Sequence, residues 1–282
     1  MLDVLIDGLS NGLQLSLIAA GMTVVHGIAG VLNLSHGETV VVATVTASVL
    51  LSLGTPVPLA LLLALCSTIP VGLAVWAISR TVSGFDERTR GVLGLVMTLG
   101  LALTLHGSLV YLFPTANYSL VLGTFQLEVW GFFVRFSSLV ALALSVAALA
   151  FLYFLLGRTR FGRSVRATFQ NRDLAEAMGI DVERTALMTV LLASLLAGLS
   201  GLIRGLTVPV EPSRGMELTV LSLVVSVAGG MRSVPGTVAA GVVVGLVNSL
   251  LAFFVGTYLT YLAVLLSAAI LLRLTGAGRW AW

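Results

Sequence analysis

Apolar residues in this sequence gather into long runs separated by short polar breaks. A first run covers about Leu9 to Ala29, and the polar stretch GVLNLSHGE (Gly30 to Glu38) leads into a second that ends near Leu53. Pro56 and Pro58 open a third reaching Ser79, with Pro70 inside it as an expected kink. A charged loop, Arg80 to Gly91, precedes a fourth run from Val92 to about Phe113. Pro114 to Arg135 has no helical period and reads as an extramembrane excursion, with a short interfacial helix expected around Trp130 to Phe133. Further runs follow at 136–156, 185–206, 218–230, 237–255 and 257–274. The 218–230 run is short, so it is either a half-helix or starts earlier. A helix needs roughly 20 apolar residues to cross about 30 Å of hydrocarbon, and a membrane β-barrel would instead alternate in segments of about ten. The pattern therefore predicts an all-α polytopic membrane protein. About nine transmembrane helices (eight to ten), some of them broken, form one domain over 1–282.

Composition strengthens this reading. Hydrophobic residues make up 58% of the 282 and charged residues 10%, with a mean hydropathy of +1.08. Soluble domains carry about a quarter charged residues, so this chain lacks the polar surface to fold in water. Its net charge of +3 comes from 15 basic residues, all arginine, most at the ends of apolar runs. That is the distribution of loops on the positive side of a membrane, not of a phosphate-binding groove, and no nucleic-acid partner is expected. Cys66 is the single cysteine, which excludes an internal disulfide; it reads as a small packing residue. The N-terminus carries Asp3 and Asp7 and no positive region, so no signal peptide is expected.

Arginine bias also orients the chain. Gly157 to Arg184 contains six arginines and the 80–91 loop three, while 114–135 and 207–217 hold one each. The two groups alternate as the intervening spans require, giving N-out and C-in, with Arg232, Arg273 and Arg279 inside. Location in the cytoplasmic (inner) membrane follows.

Three polar stretches are candidates for chemistry. In the segment 157–184, Asp173 and Glu176 have capping-box spacing and Gly179 stands at a C-cap position, predicting a short helix from about Leu174 to Met178. It would present Ala175, Glu176, Ala177 and Met178, either to a partner surface or as a loop solvated on the positive side. In Gly30 to Glu38, polar Asn33, Ser35, His36 and Glu38 cannot face lipid, since a charge at mid-helix costs about 2.5–3.5 kcal/mol on insertion scales. They line a pathway or gate, or else form a turn in cytosolic water. Gly30 and Gly37 are breaks here; Gly229, Gly230, Pro235 and Gly236 make another in GGMRSVPG. His26 and His106 stand alone in apolar runs and read as packed residues. With no second ligand at helical spacing, no metal site is expected. Walker A, G-x-S-x-G and H-E-x-x-H patterns are absent, so no catalytic residue and no cofactor is assigned. Small residues recur at 193–201 and 236–245, a spacing for close helix packing and for a possible dimer face.

Taken together these stretches resemble a known family. GMTVVHGIAGVLNLSHGE (Gly21 to Glu38) is similar to the first-span signature of permease subunits of branched-chain amino acid ABC importers. Arg166-Ala with Ala175-Glu-Ala-Met-Gly-Ile-Asp-Val, followed by Ala197-Gly-Leu-Ser-Gly201, resembles that family's coupling segment and next helix. GGMRSVPG resembles its G-G-x-G-s-x-P-G element, except that Met231-Arg232 stands where a glycine is common. The match runs through the whole chain in order, and is closest to the smaller permease type. The resemblance implies a non-enzymatic subunit that moves branched-chain or related hydrophobic amino acids inward. Its implied partners are a second permease, two cytosolic ATPases that bind ATP and Mg, and an extracytoplasmic binding protein. It makes Ala167 to Gly179, with Arg166, the element that couples to an ATPase. A permease of the same kind for urea, short amides or other amino acids, or an ATP-independent secondary transporter, are the alternatives.

Overall fold

The structure, a computed structural model, describes residues 2–114, 117–120, 126–129, 132–231 and 233–256. In chain order these form α1 (Leu2–Ala29), α2 (His36–Ser52), α3 (Val57–Cys66), α4 (Thr68–Val82) and α5 (Glu87–Leu112). A two-stranded hairpin follows, β1 (Gln126–Val129) and β2 (Phe132–Arg135), antiparallel with Gln126 opposite Arg135. Then come α6 (Phe136–Arg158), α7 (Arg160–Gln170), α8 (Arg172–Ala177) and α9 (Val182–Thr207). A single 3-10 turn, Pro212–Arg214, leads into α10 (Gly215–Ala228) and α11 (Val234–Val255). The first eight apolar runs are thus helical. The ninth, 257–274, lies outside the described residues, as do Arg232, Arg273, Arg279 and Trp130.

Six of these stretches are long and apolar enough to cross a bilayer: Val4–Ala29, Val57–Val82, Arg88–Leu112, Phe136–Arg158, Val182–Thr207 and Val234–Phe254. The Val57–Val82 stretch is broken at Ser67. Pro70 has no N–H to give the carbonyl of Cys66, so α3 stops there. Ser67 and Thr68 bond back to the carbonyls of Ala64 and Leu65, each at 2.7 Å. Cys66 is exposed on the outside of this helix, so it is not the packing residue its apolar surroundings suggest. Of the interfacial helix expected at 130–133, Phe132 and Phe133 lie in β2 instead, and the first two residues fall outside the described ones. Gln126–Val129 and Phe132–Arg135 are rich in β-branched and aromatic residues, and they pair as strands.

Helix α1 is the centre of the bundle. In its most apolar stretch 89% of residues are buried, against 22% for α5 and for α6. It packs most extensively on α11 and then on α9. Hydrocarbon provides no hydrophobic drive between helices, so the close approach must come from small residues and hydrogen bonds. Both are present. A side chain on Gly245 would run into the backbone of Gly12, and one on Gly241 into Ser16. Thr23 Oγ1 lies 2.7 Å from Ser226 Oγ and 3.0 Å from Thr237 Oγ1, tying α1 to α10 and α11. Ser200 of α9 donates to the carbonyl of Gln14 at 3.2 Å. The small residues of 193–201 serve the bundle in the same way: Gly198 faces Thr68 and Ala43, and Gly201 faces the Val40 carbonyl.

The loops sort to two ends. At one, Gly27 packs under the Phe169 ring, Gly30 sits near Arg90, and Arg80 pairs with Glu183 at 2.7 Å. This end holds the 80–91 loop, α7, α8 and the α10–α11 turn, and so most of the arginine. At the other, Asp7 bonds Arg135 and Ser138, Ser48 donates to the carbonyl of Ser119, and Tyr118 exchanges backbone hydrogen bonds with Val210. Gly245→Leu is expected to destabilise the protein by at least about 1–3 kcal/mol through overpacking of α1 on α11. Gly91→Ala in α5, where nothing among the described residues lies within 4 Å of the added methyl, should leave the protein as stable or stabilise it by up to about 1 kcal/mol. Thermal unfolding of the two purified variants in detergent checks the contrast.

Candidate functional site

Gly30, with φ +64°, ends α1 at the arginine-rich end. The next residues do not turn into water. They climb back through the protein interior: Val31, Asn33, Ser35 and His36 are all buried. His36 Nε2 lies 3.0 Å from the carbonyl of Ile18. Ile18 stands 11 residues before the end of α1 at Ala29, or about 16 Å at 1.5 Å per residue. Helix α2 therefore begins beside the midpoint of α1, at membrane depth, and the reading of 30–38 as a tight turn in cytosolic water is excluded. Irregular backbone at that depth must satisfy its own hydrogen bonds. Asn33 Oδ1 accepts from Ser35 N at 3.1 Å and from Ser35 Oγ at 2.7 Å. Thr98 of α5 accepts from Leu34 N at 3.3 Å and is 2.8 Å from the Leu32 carbonyl.

Helix α10 starts at the same level from the opposite direction. The chain leaves α9 at Thr207, at the end away from the arginines, and descends through Pro212–Arg214 to Gly215. At 14 residues α10 spans about 21 Å, short of the hydrocarbon thickness. The 218–230 run is thus a half-helix that also begins earlier, at Gly215, inside the expected 207–217 loop. The N-termini of α2 and α10 touch. Thr219 Oγ1 accepts from Gly37 N at 2.9 Å and lies 3.1 Å from the Leu34 carbonyl. No side chain fits between them: one on Gly37 would meet the Gly215 carbonyl and Thr219.

Glu38 occupies this junction. Ser35 and Glu38 have capping-box spacing, yet Ser35 makes no cap hydrogen bond and Glu38 does not fold back. Its carboxylate instead lies against Gly215, in the space a Cβ there would fill. It is 1% exposed, and one oxygen is 3.3 Å from His106 Nδ1 on α5. The other oxygen has no hydrogen-bond partner among the described residues. Two helix N-termini each stabilise a nearby anion by about 0.3–1 kcal/mol, up to about 2 when buried. Together with the imidazole they offset an insertion cost of about 2.5–3.5 kcal/mol for a charge at this depth.

The second polar region, 157–184, holds two helices. Thr159 caps α7 by accepting from Gly162 N at 3.0 Å. Val165 and Thr168 of α7 are buried, with Phe161 and Phe169 packed on Ile28 and Ala186. Arg163, Arg166 and Gln170 face outward, and Arg166 donates to the carbonyl of Leu156. Arg166 and Ala167 therefore belong to α7, and the single element expected over 167–179 is interrupted at Asn171. Asn171, not Asp173, caps α8, accepting from Leu174 N at 2.9 Å. Asp173 lies in the first turn. Gly179, φ +82°, closes the helix as expected, with Gly179 N bonded to Glu176 O and Ile180 N to Ala175 O. Ala175 is buried, while Glu176, Ala177 and Met178 are exposed. Leu174 and Met178, one helical turn apart, are 58% and 74% exposed.

In the remaining break, Ser233 caps α11 by accepting from Gly236 N, with Pro235 in the first turn. Gly229 and Gly236 are in contact, and Gly230 has φ +87°.

The family described as branched-chain amino acid transport system / permease component matches residues 4–274. The chain belongs to that permease family. Over 281 residues this permease is 24% identical to the high-affinity branched-chain amino acid transport system permease protein LivH of Escherichia coli K12, covering 91% of this chain and 87% of that one. It is 25% identical to BraD of Pseudomonas aeruginosa PAO1, covering 88% and 85%. A probable LivH of Methanocaldococcus jannaschii is 34% identical over 106 residues, 38% of this chain and 34% of that relative. Asn33, Ser35, His36 and Glu38 of the permease are thus brought together at mid-depth, while Arg166, Ala167 and 173–179 lie at the far end of α6 and α9. Sequence reasoning missed His106, which stands 68 positions from Glu38 and pairs with it only through the fold. It also missed α7, although Phe161, Val165 and Phe169 recur there at helical spacing. Thr219→Val in the permease leaves Gly37 N–H without its acceptor and should cost about 1–3 kcal/mol. A lower unfolding midpoint for Thr219→Val, restored by Thr219→Ser, is the expected result.

Proposed function

We propose that this chain is the membrane-embedded permease subunit of an ATP-driven importer in the cytoplasmic membrane. It carries branched-chain or related hydrophobic amino acids inward. It works with a second permease subunit, two cytosolic ATPases that bind ATP and Mg, and an extracytoplasmic binding protein that delivers the cargo. The arginine-rich end is the cytosolic end, with the N-terminus outside, in keeping with arginine bias. The whole chain is a single permease domain.

The observation that carries this reading is α8. A six-residue helix, capped at both ends, holds Leu174 and Met178 out into water beside Glu176. Apolar side chains with that exposure on an ordered helix suit a groove on another protein. Covering each is worth about 1.5–3 kcal/mol at most. Residues 163–179 would then be the handle through which ATPase closure moves the permease. α8 runs directly into α9, and α9 packs by Gly198 and Gly201 on α2. Motion at the handle would reach the junction of α2 and α10, where Asn33, Ser35, His36 and Glu38 form the gate. Alternating access follows from two half-helices that end at mid-depth and can separate there.

Met178→Glu combined with Leu174→Glu should weaken ATPase association by at least about tenfold. Co-purification of the ATPase subunits with the permease measures it. Undiminished co-purification, with normal transport-coupled ATP hydrolysis, would remove α8 from the coupling role.

A further inference from the structure

His106 lies on the border of two faces of α5. Thr98, Ala102 and Leu109 are buried to one side, and Leu103, Gly107 and Val110 are exposed to the other. Its Nδ1 is buried against Glu38 while the side chain as a whole is 35% exposed. The imidazole thus stands between the buried carboxylate and the outer face of α5. That face differs from other outward faces of the bundle. α3 and α6 expose Leu59, Leu62, Leu144, Val146 and Phe151, as lipid contact requires. Beside Leu103 and Val110, α5 exposes Thr104 and Ser108 in its last third, each hydroxyl bonded back to a carbonyl of its own helix, together with Gly100, Gly107 and the largely uncovered Tyr111.

We infer that Glu38 and His106 form an ammonium-accepting subsite, in which the cationic amine of the cargo replaces His106 as the partner of Glu38. Three features support it. Glu38 has one oxygen with no hydrogen-bond partner among the described residues, so it has acceptor capacity to spare. The carboxylate is packed against Gly215, in space that any side chain there would occupy, so its position is set before any ligand arrives. The group beside it on α5 is a single imidazole that is itself 35% exposed, so it stands between the carboxylate and the outside of the bundle. A primary ammonium carries three donors and a full charge, whereas an imidazole can turn only one ring nitrogen toward the carboxylate. The cargo in this inference rests on the proposed function; the ammonium site itself does not.

The chain has three histidines, so imidazole nitrogen NMR of the full chain, labelled at histidine and held in lipid nanodiscs, reads the site directly. His106→Gln assigns the His106 signal. Leucine or methylammonium is expected to move that signal from a carboxylate-paired to an unpaired position, while 2-hydroxy-4-methylpentanoate leaves it unchanged. Glu38→Gln should abolish the response and Glu38→Asp retain it. Unchanged His26 and His36 signals report that each variant is folded. Absence of a response to either amine, an equal response to the hydroxy acid, or a response that persists in Glu38→Gln would each overturn the subsite. In cells expressing the transporter, Glu38→Gln should lower leucine uptake by at least about tenfold. If the unaltered protein imports no leucine but methylammonium still moves the His106 signal, the cargo assignment falls and the ammonium site stands. If leucine is imported and the signal does not move, the reverse holds.

Discussion

Backbone polar groups at membrane depth must be satisfied by the protein itself, and this chain interrupts its helices there repeatedly. Each interruption is closed by a local device. At Gly30–Ser35 the Asn33 side chain and Thr98 take the free amides. Where α2 begins, Gly37 N–H is satisfied by Thr219 from the facing half-helix. At Ser67 two hydroxyls turn back on their own helix. Ser233 caps α11 after the Gly229–Gly230 turn. The helices between can be almost featureless because the polar work is concentrated at these points.

The same constraint explains why α1 is central although it is not the most apolar helix. It carries Ser10, Gln14, Ser16 and Thr23, all buried. In a bilayer such residues must be surrounded by protein, and they are: α9, α10 and α11 each contribute a hydrogen bond to α1 or to its backbone. α6 has a higher mean hydropathy, 2.6 against 1.5, and lies at the periphery. Burial in this bundle follows polar content and small residues, the inverse of a water-soluble core.

That inversion decides what could be read from the sequence. Run lengths located the apolar helices, α1 to α6 and α9 to α11, since hydrophobic thickness acts on any helix in the same way. Arginine counts separated the loops, and the arginine-rich ones do converge on one end of the structure. Gly179 and the GGMRSVPG break kept their expected roles because a positive φ or a proline is a local property. The misses were all non-local or competitive. Asp173 has capping-box spacing, but Asn171 stands one residue before α8 and takes the cap. Ser35 and Glu38 have the same spacing, but the carboxylate is drawn away by α10 and His106. Cys66 falls in an apolar run, and only the rotation of α3 decides that it faces outward.

The two polar regions of this chain are joined by one helix. α9 begins two residues after Ile180, where Asp181 caps it by accepting from Arg184 N at 2.8 Å, and it is held at that end by the Glu183–Arg80 pair. From there it rises through the middle of the bundle. At Gly201 it lies so close to α2 that even a methyl group would strike the Val40 carbonyl, and at Gly198 so close to α4 that one would strike Thr68. Close-packed contacts of this kind resist compression, so a displacement of α9 carries α2 with it rather than being absorbed between them. Val40 is two residues from Glu38. The carboxylate therefore sits at the far end of a stiff path whose near end is α8. There Gly37 and Gly215 leave no room for a further side chain between α2 and α10, so the carboxylate cannot be displaced without parting the two half-helices.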